Sequence, residues 1–288
     1  MRGLTRRPLF FRKLTNLLVQ IFSILTLCVA VGGMLWILCT IFWHGWQTLS
    51  WGFLTNPSKP YGIPDAGIAN ALLGTFLITL CAAVLTIPPA LLAGVYLAEF
   101  GKKGALPQAL RFCANIMMGM PSIIVGLFVY TILVVPTGCF SGFAGSVALG
   151  IIMFPVIMRT TEDMLLMVPD SLRESGLALG MTRARATVCI VCRAAKNGLV
   201  TGILLSIARV SGETAPLLFT ALFCDQWPTH FFTQPTASAP VLMTEYAANS
   251  PFEQMHQAAW GAALVILAVV LTINILTRVI FREKKHAN

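Results

Sequence analysis

Charge is scarce in this sequence. Only 11% of its 288 residues are Asp, Glu, Lys or Arg, while 57% are hydrophobic. Soluble domains average about 25% charged residues. Too few polar side chains are present to cover a water-facing surface, which excludes a soluble globular enzyme, a disordered chain and a collagen-like chain. Signatures of catalysis are missing as well. No G-x-x-x-x-G-K-[ST] phosphate loop occurs, because Gly101-Lys102-Lys103 lacks both the upstream glycine and the hydroxyl residue. There is no H-E-x-x-H and no G-x-S-x-G. The four histidines, at 44, 230, 256 and 286, are scattered. Cys189-x-x-Cys192 has no second pair and no nearby histidine to complete a zinc set. The expectation is a chain without catalysis, cofactor or metal of its own.

Long apolar runs are what the sequence does have. A spanning helix needs about 20 largely apolar residues. Six runs qualify, at about 17–43, 69–98, 116–135, 143–158, 199–223 and 258–280. The second contains Pro88-Pro89 and is expected to break there. The first is too long for a signal-peptide core and reads as a retained helix. The fold class is therefore all-α and polytopic, with a basic N-terminus at 1–16, a membrane domain at 17–281 and a short tail at 282–288.

The net charge of +9 is not spread evenly. Eighteen of the 20 Lys and Arg precede run one, lie between runs two and three or four and five, or lie at the end of run six and beyond it. Basic residues collect in cytoplasmic loops, so both termini and both basic loops are placed in the cytoplasm. This accounts for the charge without nucleic acid. The opposite side is rich in Trp, Pro and Gly, with Trp43, Trp46, Trp51, Trp227 and Trp260 near span ends as an interfacial belt would place them. Small residues recur at helix-packing spacing in Gly198/Gly202/Ser206, Ser122/Gly126 and Gly142/Ser146/Gly150. Spacing alone does not separate packing within the chain from packing against a partner.

Two polar features stand out. Arg209 and Glu213 fall inside the fifth run, four residues apart and so on one face of a continuous helix. A charged residue at a helix centre costs about 2.5–3.5 kcal/mol on insertion scales. Two readings are open: a structural ion pair, or a charge lining the route of an anion, for which the arginine fork is suited. The second feature is the loop 159–197, which reads as helical. Asp170 after Pro169 is a candidate N-cap, Gly180 a stop, and Thr182 the cap of a restart. An amphipathic helix there either docks a partner or lies on lipid headgroups.

Glu174-Ser175-Gly176-Leu177-Ala178-Leu179-Gly180, with Ile190 ten residues beyond Gly180, resembles the E-A-A-x-x-x-G-x9-I motif of ABC importer permeases. Ser175 and Gly176 stand where the motif has alanines, and Cys192-Arg193 replaces its Leu-Pro. Glycine lowers helix propensity by about 1 kcal/mol against alanine, so a weakened helix is expected. The segments Gly94–Gly101, Pro121–Tyr130, Arg159–Met164 and Arg209–Phe219 resemble, in order and at matching spacing, the PstA-type permeases of bacterial phosphate importers. The resemblance covers roughly residues 65 to 280.

It implies a type I ABC importer permease fold in the bacterial inner membrane, with six spans and a cytoplasmic coupling helix. The implied partners are a PstC-type permease, a phosphate-specific ATPase dimer that carries the ATP and magnesium, a periplasmic phosphate-binding protein, inorganic phosphate and membrane lipid. By motif, Arg209 and Glu213 would be the transport pair, and Glu174, Ser175, Gly176 and Gly180 would contact the ATPase. The rival readings are a permease for another oxyanion (phosphonate, sulfate or molybdate), an ion-coupled secondary transporter, and a membrane scaffold.

Overall fold

The computed structural model describes residues 9–101 and 104–280, and every regular element among them is helical. Several basic residues used for the orientation argument (Arg2, Arg6, Arg7, Lys102, Lys103, Arg282, Lys284 and Lys285) lie outside the described residues. Among the described residues, five helices are long and apolar enough to cross a membrane. They are α1 (Leu9–Thr48), α3 (Ala69–Phe100), α6 (Gly142–Leu166), α8 (Arg183–Val210) and α11 (Glu253–Ile280). The shorter elements are α2 (Trp51–Thr55), α4 (Ala105–Gly119), α5 (Ser122–Thr137), α7 (Asp170–Ala178), α9 (Ala215–Leu218) and α10 (Ala239–Thr244).

Proline has three different outcomes. Pro88 and Pro89 sit inside α3 without ending it, contrary to the expected break. The helix is held there by packing along its length against α6, the most buried span. Pro121 does break the third run: Met120 is extended, with ψ at 138°, and α4 and α5 meet at 104°. A residue before proline is pushed out of the helical region. The expected straight crossing at 116–135 is thus a bent pair, and a sixth span exists only if the pair counts as one. In the fifth run the helix stops at Val210, and Pro216 opens the separate turn α9. Residues 211–223 therefore leave the helix that the sequence had carried through to 223. The fourth run extends beyond 158 to Leu166, which brings Arg159, Glu162 and Asp163 onto a helix rather than a loop.

The core lies between α3 and α6, where Ile78, Leu97, Leu149, Met153 and Ile157 are fully buried. The Ser146 hydroxyl on α6 donates to the Ile78 carbonyl of α3 at 3.1 Å. The small-residue stripes are used within the chain. A Cβ on Gly198 or Gly202 of α8 would overlap Met164 or Thr160 of α6, and one on Gly126 would lie 2.7 Å from Pro216 Cα. In contrast, α1 exposes most of its length and packs on α11. They meet where a Cβ on Gly45 would lie 2.7 Å from Leu264 Cβ, and the His44 ring stacks on Trp260 at 5.2 Å.

At the end where α3 begins, fully buried Asn70 stitches two loops together. Its Oδ1 accepts from the Ser58 amide at 2.8 Å, and its Nδ2 donates to Ser58 Oγ at 2.9 Å and to the Cys224 carbonyl at 3.2 Å. Ser58 Oγ in turn donates to Asp225 Oδ1 at 2.7 Å.

Candidate functional site

The short helix α7 forms as expected from 170 to 178, although its start differs. Pro169 occupies the cap position and Asp170 is the first helical residue. The Asp170 carboxylate instead accepts from Arg173 Nη1 at 3.1 Å. The end of α7 follows its local chemistry. Gly180 has φ +78°, the left-handed region that favours glycine. The Gly180 amide donates to the Leu177 carbonyl at 2.9 Å and the Met181 amide to the Gly176 carbonyl at 3.1 Å, the paired bonds of a Schellman stop. Thr182 then caps α8, its hydroxyl accepting from the Arg185 amide at 3.4 Å.

Gly176 has a different role from the one its propensity suggested. It is buried, and a Cβ there would lie 2.7 Å from Ile190 Cδ1 and 3.2 Å from Ala186 Cβ. The glycine lets α7 lie directly on the first turns of α8. Glu174, Ser175, Leu177 and Leu179 are exposed, and Leu179 is 77% exposed with Met167 beside the loop at 75%. The exposed residues of α7 and its C-terminal cap therefore include apolar side chains and the carboxylates of Asp170 and Glu174, and Gly176 faces inward. A cavity of about 280 Å³ opens between α7 and α8, lined by Glu99, Asp170, Arg173, Glu174 and Arg183 among others.

Two ion-pair clusters hold this end of the bundle. Arg173 of α7 donates to Glu99 Oε1 of α3 from Nε at 3.0 Å and from Nη2 at 2.9 Å. Its Nη2 also donates to the Leu165 carbonyl at 2.6 Å, and Nη1 to the Val168 carbonyl. In the second cluster, Glu162 of α6 is 1% exposed and takes one arginine on each oxygen. Arg111 Nε of α4 donates to Oε1 at 2.6 Å, and Arg159 Nη1 to Oε2 at 3.0 Å. Arg111 Nη2 further donates to the Leu97 and Gly101 carbonyls at 3.1 and 3.2 Å, holding the last turn of α3.

In the sequence, Arg111 and Arg173 fall among the basic residues between apolar runs, and Glu99 and Glu162 fall inside the segments Gly94–Gly101 and Arg159–Met164. A signal was present: Glu99 is the only acid between residues 66 and 161. An isolated carboxylate between apolar runs needs a cation.

The structure separates Arg209 from Glu213. Arg209 lies in the last turn of α8, and Glu213 follows the turn Ser211-Gly212 beyond the helix end, so the two do not share a helix face. Among the described residues neither side chain makes an ion pair or hydrogen bond. Arg209 is exposed and Glu213 half-buried. The expected intrachain pair is not formed. What remains is an arginine with an unengaged fork at the far end of the helix that begins beneath α7.

Long apolar helices around a tight two-helix core, with a short helix braced against their ends by arginines, define a polytopic membrane protein. Residues 90–285 match the family described as binding-protein-dependent transport system inner membrane component. The chain is 42% identical over 281 residues to the phosphate transport system permease protein PstA of Yersinia pestis, covering 98% of this chain and 95% of that one. It is also 42% identical over 276 residues to the protein of the same name from Haemophilus influenzae, covering 96% and 97%. In three dimensions it resembles a chain of the inward-facing MetNI methionine ABC transporter, with a TM-score of 0.59, 19% identity, and coverage of 74% of this chain and 93% of that one. The chain belongs to the inner-membrane permeases of binding-protein-dependent transport systems, in the PstA family.

Proposed function

We propose that this chain forms half of the translocation pathway of an ATP-driven importer of inorganic phosphate. A PstC-type permease would supply the other half, a periplasmic phosphate-binding protein the substrate, and a phosphate-specific ATPase dimer, carrying ATP and magnesium, the drive. Both termini and α7 lie in the cytoplasm on this reading, as the basic-residue asymmetry requires.

The observation that carries the proposal is the placement of Arg209 relative to α7. If Lys196 marks the cytoplasmic edge of α8, then Arg209 lies about 20 Å farther along at 1.5 Å per residue, inside a hydrocarbon core of about 30 Å. An unpaired guanidinium at that depth is costly unless it faces a partner or a water-filled path. An oxyanion is the ligand its fork matches. Glu213, in the turn after the helix, would pair with Arg209 once the gate rearranges and so release the ion. The exposed apolar face of α7, with Glu174, Ser175, Leu177 and Leu179, fits docking into an ATPase groove. ATP binding would then favour one gate state and hydrolysis the other, because each ligand binds one state better.

The test is phosphate uptake by the complex reconstituted in proteoliposomes, with sulfate and phosphonate as competitors. Uptake that neither competitor reduces supports phosphate. Preferential transport of sulfate or phosphonate overturns the substrate, and transport without an ATPase overturns the class.

A further inference from the structure

We propose that Arg173 is the residue through which a push on α7 reaches the α3–α6 core. The inference rests on the reading of α7 as the coupling helix. It differs from that reading in naming a residue that faces away from any docked ATPase.

α7 is attached to two separate parts of the bundle by two different kinds of contact. Toward α8 the contact is apolar and close, at Gly176 against Ala186 and Ile190. Toward α3 the polar contact is a single side chain, and toward α6 that same side chain reinforces the three-residue link 167–169. All three guanidinium nitrogens of Arg173 are engaged, on Glu99 of α3, on the Leu165 carbonyl in the last turn of α6, on the Val168 carbonyl just beyond that helix, and on Asp170 of its own helix. The last carbonyls of a helix have no partner within it. Arg173 therefore caps α6 from the next helix while pairing with α3. Its side chain is 15% exposed and that of Glu99 9%, so water competes weakly for these bonds. The planar fork makes the joint stiff, because donors in fixed directions resist rotation. With the joint intact, α7 carries both α8 and the α3–α6 pair. Without it, α7 keeps its packing on α8 but is tied to α6 only by the link 167–169 and has no ion pair to α3, so the helix bearing Arg209 moves with less displacement of the core.

Lysine separates these cases. It keeps the charge toward Glu99 but has one nitrogen, which does not reach Glu99 and both carbonyls in the arginine's geometry. In the reconstituted complex, Arg173→Lys should lower phosphate moved per ATP hydrolysed by about tenfold, the size of one lost hydrogen bond to a charged group. Glu99→Gln should lower the same ratio, and the double variant should fall no further than the worse single, as partners in one joint do. The ratio is independent of how much complex assembles, so a purely structural role would leave it unchanged.

A second measurement does not use the substrate. Spin labels replace the exposed Leu73 of α3 and Leu205 of α8 in a cysteine-depleted chain. Vanadate trapping should alter the Leu73–Leu205 distance in the otherwise wild-type complex and alter it differently in Arg173→Lys. A wild-type response that Arg173→Lys reproduces, with an unchanged ratio, overturns the role of Arg173 alone. A wild-type complex with vanadate response but no phosphate-stimulated hydrolysis overturns phosphate as the substrate, and the labels still judge Arg173. Absence of both responses removes the importer reading and this proposal with it.

Discussion

Glu162 and Arg111 are 51 residues apart in sequence and 2.6 Å apart in space, and the carboxylate is shared with Arg159 on its other oxygen. This pair pins α4 to α6 although the two helices belong to different apolar runs. Removing one partner of a buried ion pair costs about 3–5 kcal/mol. Arg111 and Arg159 still reach water, which places Glu162→Ala at the lower end, about 3 kcal/mol. The thermal unfolding midpoint in detergent checks this, and a midpoint equal to wild type would show that the cluster does not hold the bundle together.

Arg209 is predicted to matter for transport and not for folding. Its side chain makes no contact with a charged or hydrogen-bonding group among the described residues. Arg209→Gln should therefore change stability by no more than about 0.5 kcal/mol while removing most phosphate uptake. Arg209→Lys should retain part of the uptake, since charge survives without the fork. Glu213→Gln should slow uptake less than Arg209→Gln. Normal uptake by Arg209→Gln at equal membrane abundance would remove this residue from the pathway.

Helix α7 allows a size test at Gly176. Alanine meets the movable end of Ile190 and gains helix propensity of about 1 kcal/mol, so Gly176→Ala should hydrolyse ATP and transport at close to wild-type rates. Gly176→Val adds branches against Ala186 as well and should wedge α7 away from α8, with loss of binding-protein-stimulated hydrolysis. At Gly180, alanine would be forced into the left-handed region at about 1–2 kcal/mol. Equal activity in Gly176→Ala and Gly176→Val would mean that α7 need not lie on α8.

Orientation is checked by cysteine labelling in a cysteine-depleted background. Thr55 at the end of α2 and Gln234 are exposed at the α3-start end, and Arg185 is exposed beside α7. The first two should react with an impermeant reagent in intact cells, and position 185 only after lysis. Ser238, close by in sequence, is fully buried and unsuitable. Reaction at 185 from outside would invert the topology.

Alkaline pH should weaken the loop cluster at the end where α3 begins. Burial, and then the nearby Asp225, push the Tyr246 hydroxyl up to about 12, against a small opposing effect of Ser58. A raised value means that the folded state holds the proton more tightly. The associated stability is complete below about 10 and is lost as the pH rises to about 12. Unfolding midpoints measured across this window should fall, and Tyr246→Phe should remove that step of the fall.

Hydropathy and local backbone chemistry were legible from the sequence alone. The apolar runs marked the spanning helices because a bilayer demands about 20 apolar residues whatever surrounds them. The stop at Gly180 and the cap at Thr182 were legible because a cap is satisfied by residues within one turn. The outcome of each proline was not. Pro88 and Pro89 continue a helix, Pro121 bends one and Pro216 follows the end of one, and the difference lies in which neighbours pack on that segment. The partners of charge were not legible either. Arg173 meets Glu99 across 74 residues and Arg111 meets Glu162 across 51, whereas Arg209 and Glu213, four residues apart, do not pair. Sequence spacing predicts a contact only while one helix connects the two residues. Once the helix ends at Val210, and once α3, α4, α6 and α7 converge at one end of the bundle, packing between helices decides which carboxylate each arginine finds.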